Sequence, residues 1–304
     1  MSRIERLESK LIEAVGARRT GLLAMVAAML LWPIIEGIGG ILLAAMPPLE
    51  LVWLRYFFHL SFMLLVVSPR RPVALFQTRY PARQAGRSLL MLTMPLCWIL
   101  AASRIPISVV MAIFWTTPLL AVAGSAILLR ERVQPATVIL LGMGYCAAIF
   151  VLHPGVPHGR GGVLLAIGMS LSFALYLVGT RWLRRESTQV NLFHSALSVF
   201  VVLTFAMPFI WRRPDPAAWG TALLVGLMGY ALLWCLDRAV HHATVAVVAP
   251  LAFIQPVIET FWFNFATGGP VSRRALLGLV LMVAVVIASF VMNRTERSDV
   301  GLAA

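Results

Sequence analysis

The sequence predicts an all-α polytopic membrane protein with ten transmembrane helices arranged as two inverted five-helix repeats. Three observations carry that expectation. Of 304 residues, 60% are hydrophobic and 12% charged, with a mean hydropathy of +0.89, which lies outside the range of ordinary soluble domains. The stretch from Ala101 to Glu131, AASRIPISVVMAIFWTTPLLAVAGSAILLRE, is a membrane-length apolar run that recurs later in the chain. A shift of 138 lays Ala101 on Ala239, Val109 and Val110 on Val247 and Val248, Trp115 on Phe253 and Pro118 on Pro256. Gly21 on Gly162 (141), Pro69 on Pro208 (139) and Gly142 on Gly278 (136) keep nearly the same register, as an internal duplication requires. The third observation is the distribution of arginine and lysine, taken up below.

Residues 1–20 place Ile4, Leu7, Leu11 and Val15 at helical spacing opposite Arg3, Arg6, Lys10 and Glu13, an amphipathic segment suited to the headgroup layer. The apolar run that follows is too long for a cleaved signal and reads as a spanning anchor. A helix crossing a hydrocarbon core of roughly 30 Å needs about 20 apolar residues. Ten such segments are expected at 21–46, 48–68, 87–103, 105–129, 135–152, 162–183, 190–210, 217–236, 243–266 and 274–292, of which the third and tenth are short or ragged. The domains expected are therefore a cytoplasmic N-terminal segment 1–20, a first repeat 21–152, a second repeat 162–292 and a cytoplasmic tail 293–304.

With the N-terminus inside, 18 arginines and lysines fall on the inner side and six on the outer, Arg55 being intramembrane. This bias places both termini in the cytoplasm. Five helices per half is an odd number, so the second half enters from the opposite face, the arrangement that lets one midplane site alternate between two exposures. The net charge of +13 is explained by this topology, and the arginines form no soluble basic face of the kind nucleic acid requires. Cys97, Cys146 and Cys235 stand singly in apolar runs, without metal-ligand or disulfide spacing. No cofactor is expected.

The small-residue run and helix proline of SVVMAIFWTTPLL, the LLRERV that closes it and the following LLGMGYCAAIF resemble the bacterial drug/metabolite transporter superfamily, in its ten-helix EamA-type exporter branch. The resemblance spans nearly all of both halves. It implies a basket of two inverted five-helix repeats that moves small metabolites, often outward, amino acids among them. The acidic residue that the family carries after the fourth helix is present as Glu131, whereas the second half reads ATGGPV, with Gly269 at the equivalent place.

Intramembrane polar residues are costly in lipid and mark candidate sites. Glu36 sits mid-span beside Pro33 and the glycines at 37, 39 and 40, on roughly one face with Met25, Met29, Trp32 and Leu43. It reads either as a substrate or proton site beside a hinge, or as an acid bonded to a neighbouring helix. Gln255, Glu259 and Trp262 share a face of the ninth segment, either as ligand groups or as a polar seam between helices. Arg55, four residues from His59, either holds a substrate carboxylate or pairs structurally with Glu36 or Glu50, or reaches the headgroups. Trp53, Trp182, Trp211 and Trp219 lie near interfaces as an aromatic belt. The deeper Trp32, Trp115 and Trp262 offer aromatic wall to an apolar or cationic ligand, or simply pack helices.

Asn191, Ser195, Ser198, Ser172, Tyr176 and Thr180 read as helix-joining polar residues. Pro118 and Pro256 are expected to bend their helices in mid-span and to act as gates. The substrate expected from this set is an amphiphilic zwitterion such as an aromatic amino acid, exported through the lipid bilayer, with proton exchange at a glutamic acid; organic cations come second. A membrane-embedded enzyme is the distant rival, since His241 and His242 fall in a cytoplasmic turn and neither HExxH nor a nucleophile elbow is present.

Overall fold

In the computed structural model, residues 15–68, 72–156, 159–267 and 271–301 are described, and side chains for 15–68, 72–156, 159–262 and 271–292. Among these residues every regular element is helical. The amphipathic segment expected over residues 1–20 lies mostly outside the described residues, as does Gly269. Among the described residues, nine helices are long and apolar enough to cross a membrane: α1 Ala17–Leu42, α2 Pro48–Val67, α3 Pro81–Ala102, α4 Ile107–Leu128, α5 Pro135–Leu152, α6 Arg160–Trp182, α8 Pro216–His242, α9 Val245–Trp262 and α10 Arg273–Met292. The tenth, α7, is the shorter apolar Thr188–Thr204, about 26 Å at 1.5 Å per residue. A short helix, Met207–Ile210, follows it.

The termini of the helices follow local chemistry. Pro48, Pro81, Pro135 and Pro216 open α2, α3, α5 and α8, where a missing N–H costs nothing. Ser187 accepts from the Val190 N–H (3.2 Å) and Asp215 from the Ala218 N–H (2.6 Å), capping α7 and α8. α1 begins at Gly16, whose φ of 88° suits a residue without Cβ.

Packing repeats across the two halves. α1 lies along α8 just as α3 lies along α6, while α5 packs on α10 and α2 on α7. The close approaches match too. A Cβ on Gly21 would come within 3.0 Å of the Ala239 carbonyl oxygen and the Ala243 Cβ, and one on Gly162 within 2.6 Å of Ile105. Since 105 + 138 = 243, these are the same contact made twice. Five crossings per half make α6 antiparallel to α1, so the repeats are inverted.

Three expectations need correction. The third helix is not short: it starts at Pro81 rather than 87, which brings Gln84 inside it, and Gln84 and Arg87 are buried. The eighth runs to His242 rather than 236, so His241 and His242 belong to its last turn, their rings 4.8 Å apart. The seventh ends at Thr204 rather than 210, where the chain turns before the short helix.

Candidate substrate site between the two halves

Both proline-bearing spans are interrupted where the halves meet. α4 consists of Ile107–Phe114 and Thr117–Leu128, with Trp115 and Thr116 between them. α9 opens as Val245–Val248, tightens into a 3-10 stretch Ala249–Phe253 that Pro250 helps to start, and resumes as an α-helix at Ile254. Pro118 and Pro256 are therefore not mid-helix kinks, as expected from sequence. Each lies in the first turn of a resumed segment, where proline is accommodated. The break in α4 is held by hydroxyls: Thr116 and Thr117 both bond Ser170 Oγ on α6, at 2.9 and 3.0 Å.

Against these breaks lies a cleft lined by Trp32, Trp115, Pro118, Phe173, Leu177 and Gln255, among others. Its walls come from α1, α4, α6, α8 and α9, and they are almost wholly apolar. Trp32 meets Phe173 edge to face at 5.1 Å, and Trp115 lies 6.2 Å from Phe253. Of the residues singled out from sequence, Trp32, Trp115, Pro118 and Gln255 thus reach the cleft directly.

The acidic pair sits beside it, between α1 and α9. Trp32 Nε1 donates to Glu36 Oε1 at 2.5 Å, and Gln255 Nε2 to Glu259 Oε1 at 2.6 Å. One donor in each pair lines the cleft, so each carboxyl is tethered to its wall. Glu36 and Glu259 face each other across the boundary between α1 and α9, near enough to interact electrostatically. Glu36 is exposed. Trp262 is about half exposed (52%) and packs over Gly37, where an added Cβ would come within 2.9 Å of its Nε1. It is absent from the cleft wall.

Arg55 lies on α2 against α8, where a Cβ on Gly229 would reach within 2.6 Å of its Nε. It makes no ion pair with Glu36 or Glu50. Glu50 instead accepts from the Arg212 backbone N–H at 3.0 Å.

Two polar assemblies were not legible as such. Glu131 accepts from Arg181 Nε (2.8 Å) and from the Val245 N–H (3.1 Å), while Arg181 Nη1 donates to the carbonyls of Val240 (2.8 Å) and His241 (2.9 Å). The pair thereby ties the end of α4 to the turn between α8 and α9. Arg87 on α3 donates to Thr180 Oγ1 (3.0 Å), Ser195 Oγ (2.8 Å) and the Asn191 carbonyl, and Asn191 bonds Asp237 at 2.9 Å. Asn191, Ser195 and Thr180 do join helices, as expected. Arg87 and Arg181, which belong to the 18 cations assigned to the inner side, are both buried.

Comparison with known proteins agrees with this architecture. The model of the EamA-like transporter family matches residues 19–153 and again 160–291. The S-adenosylmethionine uptake transporter of Rickettsia bellii is 22% identical over 235 residues, 77% of this chain and 80% of that protein. The riboflavin transporter of Rhizobium johnstonii is 26% identical over 257 residues, 79% of this chain and 84% of the relative. A solved crystal structure shares the fold with a TM-score of 0.79 at 21% identity, covering 92% of this chain and 99% of its own. With two copies of the family model covering most of its length, the chain belongs to the EamA-like transporter family, whose members are multi-pass membrane transporters.

Proposed function

We propose that the protein is a secondary carrier for small amphiphilic metabolites bearing a cationic group, zwitterions with an aromatic body such as aromatic amino acids first. It works by alternating access in the bacterial inner membrane, with both termini cytoplasmic. One observation carries the reading: the paired carboxyl groups of Glu36 and Glu259 are tethered by Trp32 and Gln255 to an otherwise apolar, aromatic cleft. An ammonium or sulfonium would meet both charge and aromatic surface there. The apolar body would lie against Trp32, Trp115 and Phe173. The relative named for S-adenosylmethionine uptake supports such a ligand, since that molecule is a zwitterion with a sulfonium and an aromatic base. Export was the expectation from sequence; that relative is named for uptake, and we take the direction to follow the substrate and proton gradients.

The experiment is flux into and out of sealed proteoliposomes for aromatic and aliphatic amino acids, S-adenosylmethionine, riboflavin and a cationic dye. Saturable flux of aromatic zwitterions is expected, accelerated by an opposed proton gradient. Flux of the dye alone would replace this reading with an organic-cation carrier, which the acidic pair would equally serve. Flux of riboflavin alone, or chemical turnover of any compound in detergent, would overturn both.

A further inference from the structure

The face between α2 and α8 holds polar atoms with no hydrogen-bond partner among the described residues. On α2, Arg55, His59 and Phe62 follow one another at helical spacing and lie on Gly226, Gly229 and Tyr230 of α8. The glycines permit that approach: a Cβ on Gly226 would come within 3.0 Å of the Arg55 carbonyl oxygen and 2.6 Å of Phe58, and one on Gly229 within 2.6 Å of Arg55 Nε. Tyr230 meets the His59 ring edge to face at 5.2 Å and Phe62 at 5.0 Å.

Within this contact His59 is fully buried, and both its ring nitrogens lack a hydrogen-bond partner among the described residues. Arg55 Nε and the Tyr230 hydroxyl are likewise buried and unpartnered. A buried polar group without a partner costs roughly 1–3 kcal/mol, and more if charged. Four such atoms in one helix contact therefore call for a ligand. Arg87 Nε on α3 is also buried and unpartnered, but the Nη groups of Arg87 meet acceptors from Thr180, Ser195 and Asn191.

The set is rich in donors, with the neutral imidazole giving one donor and keeping one acceptor nitrogen. Arginine Nε–H donates, either imidazole nitrogen donates in the right tautomer, and the phenol donates or accepts. The carboxylate within electrostatic reach of Arg55 is that of Glu36, which is already engaged by Trp32. Aromatic rings extend from the cleft through Trp32 and Phe173 (5.1 Å) to Tyr176 (6.1 Å), and on α2 the Tyr56 and His59 rings lie 6.1 Å apart.

We propose that Arg55, His59 and Tyr230 form an oxyanion subsite that receives the carboxylate of the transported molecule, while Glu36 and Glu259 receive its cationic group. The proposal deepens the zwitterion reading and rests on it for the ligand's second charge. His59 and Tyr230 are the new members. They add donors that fix the carboxylate's orientation, where Arg55 alone would supply only charge and one fork of hydrogen bonds.

The test uses the full-length purified protein and three probes of one shape: phenylalanine, 3-phenylpropionate, which lacks the ammonium, and 2-phenylethylamine, which lacks the carboxylate. Binding is followed by tryptophan fluorescence in detergent without added lipid and again in nanodiscs with anionic lipid. Tyr230→Phe, which removes a single oxygen, and His59→Gln should each weaken 3-phenylpropionate and phenylalanine about tenfold, the equivalent of one charge-assisted hydrogen bond. Neither should change 2-phenylethylamine. Competition by anionic lipid with equal affinity would assign the subsite to a lipid phosphate and overturn the substrate assignment. Equal weakening of all three probes would show a merely structural contact, and absence of carboxylate binding by the parent protein would overturn the subsite. Binding of 3-phenylpropionate sensitive to Tyr230→Phe, without any binding of the amine or of phenylalanine, would keep the subsite and remove the zwitterion.

Discussion

Trp115 of α4 and Phe253 of α9 stand 138 positions apart, and their rings meet with centroids 6.2 Å apart and planes tilted by 35°. Residues at equivalent places in a duplicated chain touch each other only beside the axis that relates the two copies. This contact therefore locates that axis, at the interruptions of α4 and α9 and at the edge of the cleft. It also gives the first prediction: Trp115→Ala and Phe253→Ala should be non-additive in thermal unfolding. A double-mutant cycle should return a coupling of about 1 kcal/mol, and independent effects would remove the axis from this pair.

Phe253 is confined from its other side. A Cβ on Gly144 would fall 2.3 Å from the Phe253 Cε2, so Gly144→Ala must push the ring toward Trp115. A loss of about 1–3 kcal/mol is expected from such overpacking. Phe253→Leu in the same chain should restore most of it. An alanine at 144 that costs nothing would mean that α5 and α9 separate freely.

Glu131 and Arg181 form a buried pair, with side chains 10% and 9% exposed. Removing one partner of such a pair leaves an uncompensated charge and costs about 3–5 kcal/mol. Glu131→Gln should lower the midpoint of thermal unfolding accordingly. It should also increase labelling of a cysteine introduced at Val245, because the Val245 N–H loses a charged acceptor. Unchanged labelling would show that the turn between α8 and α9 is held without this pair.

Helix number and duplication were legible in the sequence because both are written in local quantities, the length of apolar runs and the spacing of prolines and glycines. The start of α3 was not. Gln84 and Arg87 find their partners in Thr180, Asn191 and Ser195, which lie 93 to 108 positions further on, and no local pattern records that. The same limit affected Arg181, which the charge bias counted correctly as a cation without showing that Glu131 holds it. At the candidate site, Trp32, Trp115 and Gln255 were picked out because aromatic and polar residues are conspicuous in apolar helices. The partnership of Glu36 with Glu259 required knowing that α1 and α9 are neighbours, and the role of Phe173, an ordinary apolar residue by sequence, required the packing itself.

Pro118 and Pro256 each lie in the first turn of a helical segment. Pro118→Ala and Pro256→Ala should therefore leave expression and unfolding midpoint nearly unchanged, within about 1 kcal/mol. They should slow transport, since each would let its broken span join into one helix. Parental transport rates in both variants would remove the prolines from gating.

The central claim is that the Glu36 and Glu259 pair beside the aromatic cleft receives the substrate's cationic group. It is tested most directly by counterflow of radiolabelled phenylalanine in proteoliposomes with Glu36→Gln, Glu259→Gln and the double variant. Each substitution keeps the shape and most hydrogen bonds and removes the charge. The account predicts at least about a tenfold loss of counterflow in each single variant, as expected for one charged contact, with little further loss in the double variant because the two groups act as one site. Undiminished counterflow in the double variant, in a protein that unfolds at the parental temperature, would contradict it.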